Sequence, residues 1–263
     1  MKYPNLEKLV DIIAVLRSEN GCVWDREQTH KSLRPNMLEE AYEAVDAIDE
    51  GDIPNLREEL GDVLLQVVLH SQIAKDNGEF DIEDVARELS EKLIHRHPHV
   101  FGSEKVNSAD DVIKNWDKLK KEEKSYRKSI LDGISKSQSA LMSAQKISKK
   151  VVKVGFEWDS VESLKECIKS EYKEFYEAVL LGDNDKMEDE MGDIFFATVN
   201  LARWYKIDSE QALLRANRKF TARFKKMEEL KTKPFEEYSY EEFNELWKRA
   251  KLEINGENNE KRN

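Results

Sequence analysis

Apolar residues recur at helical spacing in successive blocks, roughly 5–19, 36–50, 54–76, 82–97, 109–127, 138–153, 160–181, 185–206, 208–231 and 240–254. In each block one stripe stays apolar while the other positions are charged or polar, which is the pattern of a helix packed on one side. No run alternates with the two-residue period of a strand, so the chain is predicted to be all-α. Punctuation supports several boundaries. Asp81 before Asp84, Asp159 before Glu162 and Ser239 before Glu242 resemble capping boxes or their acidic variants, and "GDIP" and "GDND" make short turns between antiparallel helices. The Ser-rich stretch 122–140 is the most polar interior segment and reads as a linker, and the closing "NGENNEKRN" is expected to fray.

The pattern also repeats. Residues 40–62, "EAYEAVDAIDEGDIPNLREELGD", align without a gap to 171–193, "EYKEFYEAVLLGDNDKMEDEMGD", at an offset of 131. Glu40 matches Glu171, Glu43 matches Glu174, Gly51-Asp52 matches Gly182-Asp183, Glu59 matches Glu190, and Asp62 matches Asp193. Farther along, "KLIHR" (92–96) and "KFTAR" (219–223) share Lys-apolar-x-x-Arg. With 54 acidic residues in 263, four chosen positions would all be acidic by chance about 0.002 of the time, so duplication is the better explanation. The expected organisation is a helical domain over 1–124, a linker at 125–137, a second helical domain over 138–254 and a disordered tail at 255–263.

Composition narrows the partners. A net charge of −11 disfavours nonspecific attraction to nucleic-acid backbone or anionic lipid, so neither nucleic acid nor membrane is an expected partner. The opening "MKYPNLEKLVDIIAVLRSENG" carries an Asp inside its apolar run and no small-residue cleavage pattern, so it reads as an amphipathic helix. No stretch approaches the length of a membrane span. Cys22 and Cys167 lie far apart with no metal-like spacing, as expected of reduced thiols in a cytoplasmic protein.

The chemistry is concentrated in the repeat. Positions i and i+3 lie on one helix face, so Glu171 shares a face with Glu174 and Glu190 with Asp193. A short "LGDND" turn makes the two helices antiparallel neighbours and brings the four carboxylates together. Such a cluster is repulsive and costly to desolvate unless a cation sits in it. Hard oxygen donors with no His or Cys among them favour Mg²⁺, with Mn²⁺ as the alternative, and Mg²⁺ keeps positions open for water and phosphate. Gly61 and Gly192 are expected to let the helix backbones approach closely beside the metal. Acidic residues lining solvated faces are the bland alternative, but the second pair abuts the apolar run "IFFATVNLA" and the whole pattern recurs. A di-iron bundle needs Glu-x-x-His motifs, and the only such spacing here is Glu27 to His30. The three histidines of "HRHPHVF" (95–101) read as a turn after a helix.

Lys92 with Arg96 and Lys219 with Arg223 form i, i+4 pairs that suit triphosphate oxygens, and they recur at matching distance from the acidic motif. Lys186 either adds charge to the same mouth or forms an i, i+4 ion pair with Glu190.

These features resemble the MazG family of nucleoside triphosphate pyrophosphohydrolases, whose pattern is Glu-x-x-Glu, a gap, then Glu-x-x-Asp. The resemblance extends through "NGCVWDREQTH" (20–30), "RHPHVF" (96–101), "VGFEWD" (154–159), "FATVNLAR" (196–203) and "RANRKFTARF" (215–224), and is to the bacterial tandem-domain form. It implies two tandem MazG-like helical-bundle domains, homodimerisation, and Mg²⁺-dependent conversion of a nucleoside triphosphate to monophosphate and pyrophosphate. The family's metal ligands fall on Glu171, Glu174, Glu190 and Asp193, which are also the expected catalytic residues, and by repeat on Glu40, Glu43, Glu59 and Asp62. Its nucleotide contacts fall on Lys186, Lys219 and Arg223, and more loosely on Asn200 and Trp247. Trp247 reads either as a base-stacking platform or as a core aromatic.

The halves differ in detail. Ser170 stands opposite Glu39, Leu69 stands where the second half has Asn200, and Trp116 is the one candidate to answer Trp247. Both halves keep every carboxylate, with the second expected to carry most of the chemistry. The competing class is a helical regulatory or partner-binding protein in which one repeat has lost catalysis.

Overall fold

The computed structural model describes residues 3–106, 108–123 and 126–260. The fold is all-α, with no strand among the described residues, and no helix there is long and apolar enough to cross a membrane. The chain divides into two compact units, 1–125 and 126–263.

The first unit contains α1 (Pro4–Leu16), α2 (Val23–Glu27), α3 (Arg34–Glu50), α4 (Ile53–Asp76), α5 (Ile82–Arg96), α6 (Pro98–Phe101) and α7 (Ala109–Glu123). Its core is Ile13, Leu33, Val68, Leu69 and Ile73, with Leu9, Val10, Leu16, Leu65 and Ile82 packed around them. The second unit contains α8 (Ala140–Val152), α9 (Val161–Leu181), α10 (Asn184–Trp204), α11 (Ser209–Leu230), a 3₁₀ turn (Phe235–Glu237) and α12 (Tyr240–Glu260). Here Met227, Leu246 and Ala250 are buried between α11 and α12 against Phe235, Phe243 and Trp247.

The repeat is visible in the turns. Gly51 and Gly182 close α3 and α9 in the left-handed region, with φ of 71° and 68°, where a glycine meets no Cβ penalty. The next residue caps the following helix: Asp52 accepts from the Asn55 backbone N–H and Asp183 from that of Lys186, each at 3.1 Å. The same buried alanine sits beneath both turns, Ala47 in the first unit and Ala178 in the second. Two antiparallel helix pairs, α3 with α4 and α9 with α10, are thereby fixed in the same local geometry.

Several boundaries differ from the periodicity. Asp81 and Asp84 do form a reciprocal box, and Ser239 and Glu242 bond each other's backbone N–H. The α9 cap, however, is Ser160 with Ser163 rather than Asp159 with Glu162. Helix α2, helix α6 and the 3₁₀ turn are too short to show a period. The stretch expected as a linker is held to the second unit. Asp132 accepts from the backbone N–H groups of Lys128 and Ser129, and Lys150 donates to the carbonyls of Ile130 and Asp132. Helix α12 continues through Gly256 to Glu260, whereas disorder was expected from 255. One glycine costs a helix only about 1 kcal/mol and does not by itself end it. Residues 261–263 of that tail lie outside the described residues.

Candidate active site

In the second unit, one carboxylate oxygen from each of Glu171, Glu174 and Glu190 lies within 4.8 Å of the others. Glu171 and Glu174 come from consecutive turns of α9, and Glu190 faces them from α10. Glu40, Glu43 and Glu59 make the same grouping in the first unit, from α3 and α4. Asp193 and Asp62, expected as fourth ligands, stand outside these triads. Their charges still act on them, Asp193 on Glu190 and Asp62 on both Glu40 and Glu59.

The electrostatics of both triads ask for a cation. Desolvation first, then the charges of Glu174, Glu171 and Asp193, push the Glu190 carboxyl above its ordinary range, while Lys186 opposes the shift. Lys186 therefore acts on Glu190 as the i, i+4 spacing allows. Glu59 is raised in the same way by desolvation and by Glu43, Asp62, Glu58 and Glu40, with no lysine to oppose it. Glu40 is raised by desolvation, Asp62, Glu43 and Glu39, and a hydrogen bond from Gln66 works the other way. Three convergent carboxylates, each group with a partly exposed member, fit a divalent cation that keeps water or phosphate in its remaining positions.

Gly61 and Gly192 do not serve as expected. No atom lies within 4 Å of a Cβ built at either position, and both are exposed. They face away from the partner helix, so close approach of α3 to α4 or of α9 to α10 does not depend on them.

The basic residues divide the two halves. Arg96 is buried and bonded to Glu123. Its Nε donates to both carboxylate oxygens at 3.1 and 3.2 Å and its terminal nitrogen to Oε2, while His95 contacts Oε1 at 3.0 Å. These bonds, led by those from Arg96, hold the Glu123 carboxyl down at about 2. Arg96, expected with Lys92 to suit triphosphate oxygens, is engaged by that ion pair. Arg223 has no acidic partner among the described residues. Both guanidiniums lie over a tryptophan at 5.5 Å, Arg96 over Trp116 and Arg223 over Trp247, so Trp116 is the structural answer to Trp247. Lys92 and Lys219 are exposed on the same helices as their arginines.

Two more loosely assigned contacts, Asn200 and Trp247, are engaged in packing. Asn200 is buried on α10, its Oδ1 accepting from Ser148 at 2.7 Å and its Nδ2 donating to the Phe196 carbonyl at 2.9 Å. Ser148 also accepts from Arg203, which is paired with Glu157. Asn200 therefore has its amide engaged in a clamp between α8 and α10. Trp247 packs against Phe220, with ring centres 5.2 Å apart, and belongs to the aromatic cluster under the 3₁₀ turn. Trp247 is half-buried there, and Arg223 lies over its ring.

Two segments, residues 28–101 and 159–227, match the model of the MazG nucleotide pyrophosphohydrolase domain. The chain belongs to the MazG family. Both MazG segments contain their full carboxylate set, and the second also spans Lys186, Lys219 and Arg223; Trp116, Glu123 and Trp247 fall outside. The chain is 48% identical over 249 residues to the nucleoside triphosphate pyrophosphohydrolase/pyrophosphatase MazG of Thermotoga maritima, covering 93% of this chain and 95% of that one. It is 44% identical to the nucleoside triphosphate pyrophosphohydrolase of Escherichia coli K12, over 86% of this chain and 88% of that one. An uncharacterized protein of Bacillus subtilis, YabN, is 45% identical over 95% of this chain and 52% of its own length.

Sequence reasoning missed three side chains at the MazG sites. Cys167 donates from Sγ to Glu171 Oε1 at 3.4 Å, and burial together with the acidic cluster pushes its thiol up to about 11. Ser170 donates to Glu174 at 3.1 Å, and Gln66 bonds Glu40. The first two lie four residues before the glutamate they touch, an i, i+4 signal that was legible.

Proposed function

We propose that this chain hydrolyses nucleoside triphosphates, ribo and deoxy, to the monophosphate and pyrophosphate, using Mg²⁺ (or Mn²⁺) and working mainly at the second carboxylate triad. The observation that carries the reading is the convergence of Glu171, Glu174 and Glu190 to within 4.8 Å in a segment that matches the family. The names of the two long relatives support the activity. Mg²⁺, when bound, supplies charge to the phosphate oxygens and acidity to a bound water.

The chain's own groups do the rest. Glu171, Glu174 and Glu190 hold the cation, with Asp193 at their edge adding negative charge. One of the second-repeat glutamates takes the proton of the attacking water. The water attacks in line and the α–β anhydride breaks. Lys219 and Arg223 hold charge on the departing pyrophosphate, and Lys186 keeps the mouth from becoming too negative for a polyanion. The role is that of a housekeeping enzyme of the cytoplasmic nucleotide pool.

The working form is proposed to be a homodimer. Apolar side chains are exposed on both helix pairs: Leu180, Leu181, Tyr176 and Phe195 on the α9/α10 pair, and Tyr42, Ile48, Ile53 and Leu60 on the α3/α4 pair. Apolar faces of that kind on both helix pairs support a second copy as their cover.

Product identity tests the reading. Purified chain incubated with a panel of canonical, deoxy and modified triphosphates and Mg²⁺ is expected to release pyrophosphate and monophosphate. Release of orthophosphate and diphosphate would sink it.

A further inference from the structure

Each half holds an arginine over a tryptophan at 5.5 Å, but among the described residues Arg96 also meets a carboxylate and Arg223 does not. Glu123 follows Trp116 by seven residues, and the residue that follows Trp247 by seven is Ile254. Glu123 spans the Arg96 guanidinium with both oxygens and takes His95 as well, which is how a phosphate group would be held. The Arg96 and Glu123 side chains are 10% and 25% exposed, so the pair is largely withdrawn from water and its Coulomb attraction is little screened. Arg223, over its own tryptophan, has no carboxylate partner among the described residues.

We propose that Glu123 is an internal anion that occupies the phosphate grip of the first MazG site, so that the first site binds polyphosphate poorly while the second is open. This rests on the reading of Lys219 and Arg223 as phosphate-binding residues. Two anions compete for one guanidinium, and the tethered one is present at high effective concentration. A triphosphate reaching the first triad must displace Glu123 and leave that carboxylate without its donors, which costs most of the affinity that Arg96 would otherwise provide. Ile254 imposes no such exchange on Arg223. The first carboxylate triad is therefore intact yet subordinate, and a single residue of α7 sets the difference.

The test uses the full chain, Mg²⁺ and inorganic tripolyphosphate as the probe, with binding followed by titration calorimetry. Wild type is expected to bind one tripolyphosphate tightly per chain. Glu123→Gln, which keeps the shape and removes the charge, is expected to add a second site of similar affinity, and Arg96→Ala in the same chain should remove that second site. Ile254→Glu is expected to weaken the original site on the order of tenfold or more. Should Glu123→Gln fail to fold, Ile254→Glu decides alone: unchanged affinity there overturns the proposal. Two equal sites in wild type, or one unchanged site in folded Glu123→Gln, also overturn it. Because tripolyphosphate binding is read without turnover, absence of pyrophosphate release would refute the hydrolytic reading while leaving this comparison intact.

Discussion

The α3/α4 and α9/α10 pairs are near copies down to their turns, yet their surroundings differ. Each joins its helices with a left-handed glycine and an aspartate cap, and each gathers three glutamates to within 4.8 Å. The second triad has Lys186 acting on Glu190, whereas Asn55 occupies the equivalent place in the first. The first has Glu39 and Glu58 adding repulsion and has its arginine tied to Glu123. Duplicated triads therefore do not have duplicated surroundings, because the local charge and the partner of the arginine are set by residues outside the acidic motif.

The largest structural difference that can be broken is Asn200 against Leu69. Asn200→Leu copies the first half into the second and leaves the buried Ser148 hydroxyl without its acceptor. A loss of about 1–3 kcal/mol in denaturant unfolding is expected, with KM for triphosphate little changed in the folded protein. A large rise in KM without loss of stability would instead make Asn200 a substrate contact.

Acid separates the units next. Glu123 has its carboxyl depressed to about 2 by Arg96 and His95, so the native state binds fewer protons than the unfolded chain. Its stabilisation is complete above the ordinary glutamate range near 4.5 and is lost as pH falls from there through about 2. Arg223 in the second unit has no such pair among the described residues. Hydrogen exchange followed from pH 5 down to 2 should show α5 and α7 losing protection in wild type, with a smaller pH response in Glu123→Gln. An identical response in both chains would remove this ion pair from the explanation.

The smallest effect concerns the exposed glycines. Gly61→Ala and Gly192→Ala meet no neighbouring atom within the chain, and each should stabilise its helix by about 0.5–1 kcal/mol. A loss of stability that grows on dilution would instead place a partner copy against that face.

Much of this was legible in the sequence because the chain encodes it locally. Ten helical blocks, the Gly-Asp turns and the spacing of Glu171, Glu174 and Glu190 follow from period and turn chemistry, which neighbouring residues determine. Asp193 belongs to the same face by spacing, but the triad forms without it. The Arg96–Glu123 pair joins residues 27 apart on different helices, and no pattern along one helix reveals it. Gly192 misled for a related reason: glycine in a helix signals either a close neighbour or none, and only packing tells which. The family resemblance points Asn200 toward substrate, while its hydrogen bonds to Ser148 and Phe196 come from tertiary packing.

The most direct measurement compares Glu174→Ala with Glu43→Ala, each in the full chain, for Mg²⁺-dependent pyrophosphate release. These residues are equivalent members of the two triads. Glu174→Ala is expected to reduce the rate by about a hundredfold or more, the scale of losing a group that stabilises the transition state, while Glu43→Ala keeps most of the wild-type rate. Full activity in Glu174→Ala, or equal losses in both variants, would contradict the assignment of the chemistry to the second triad.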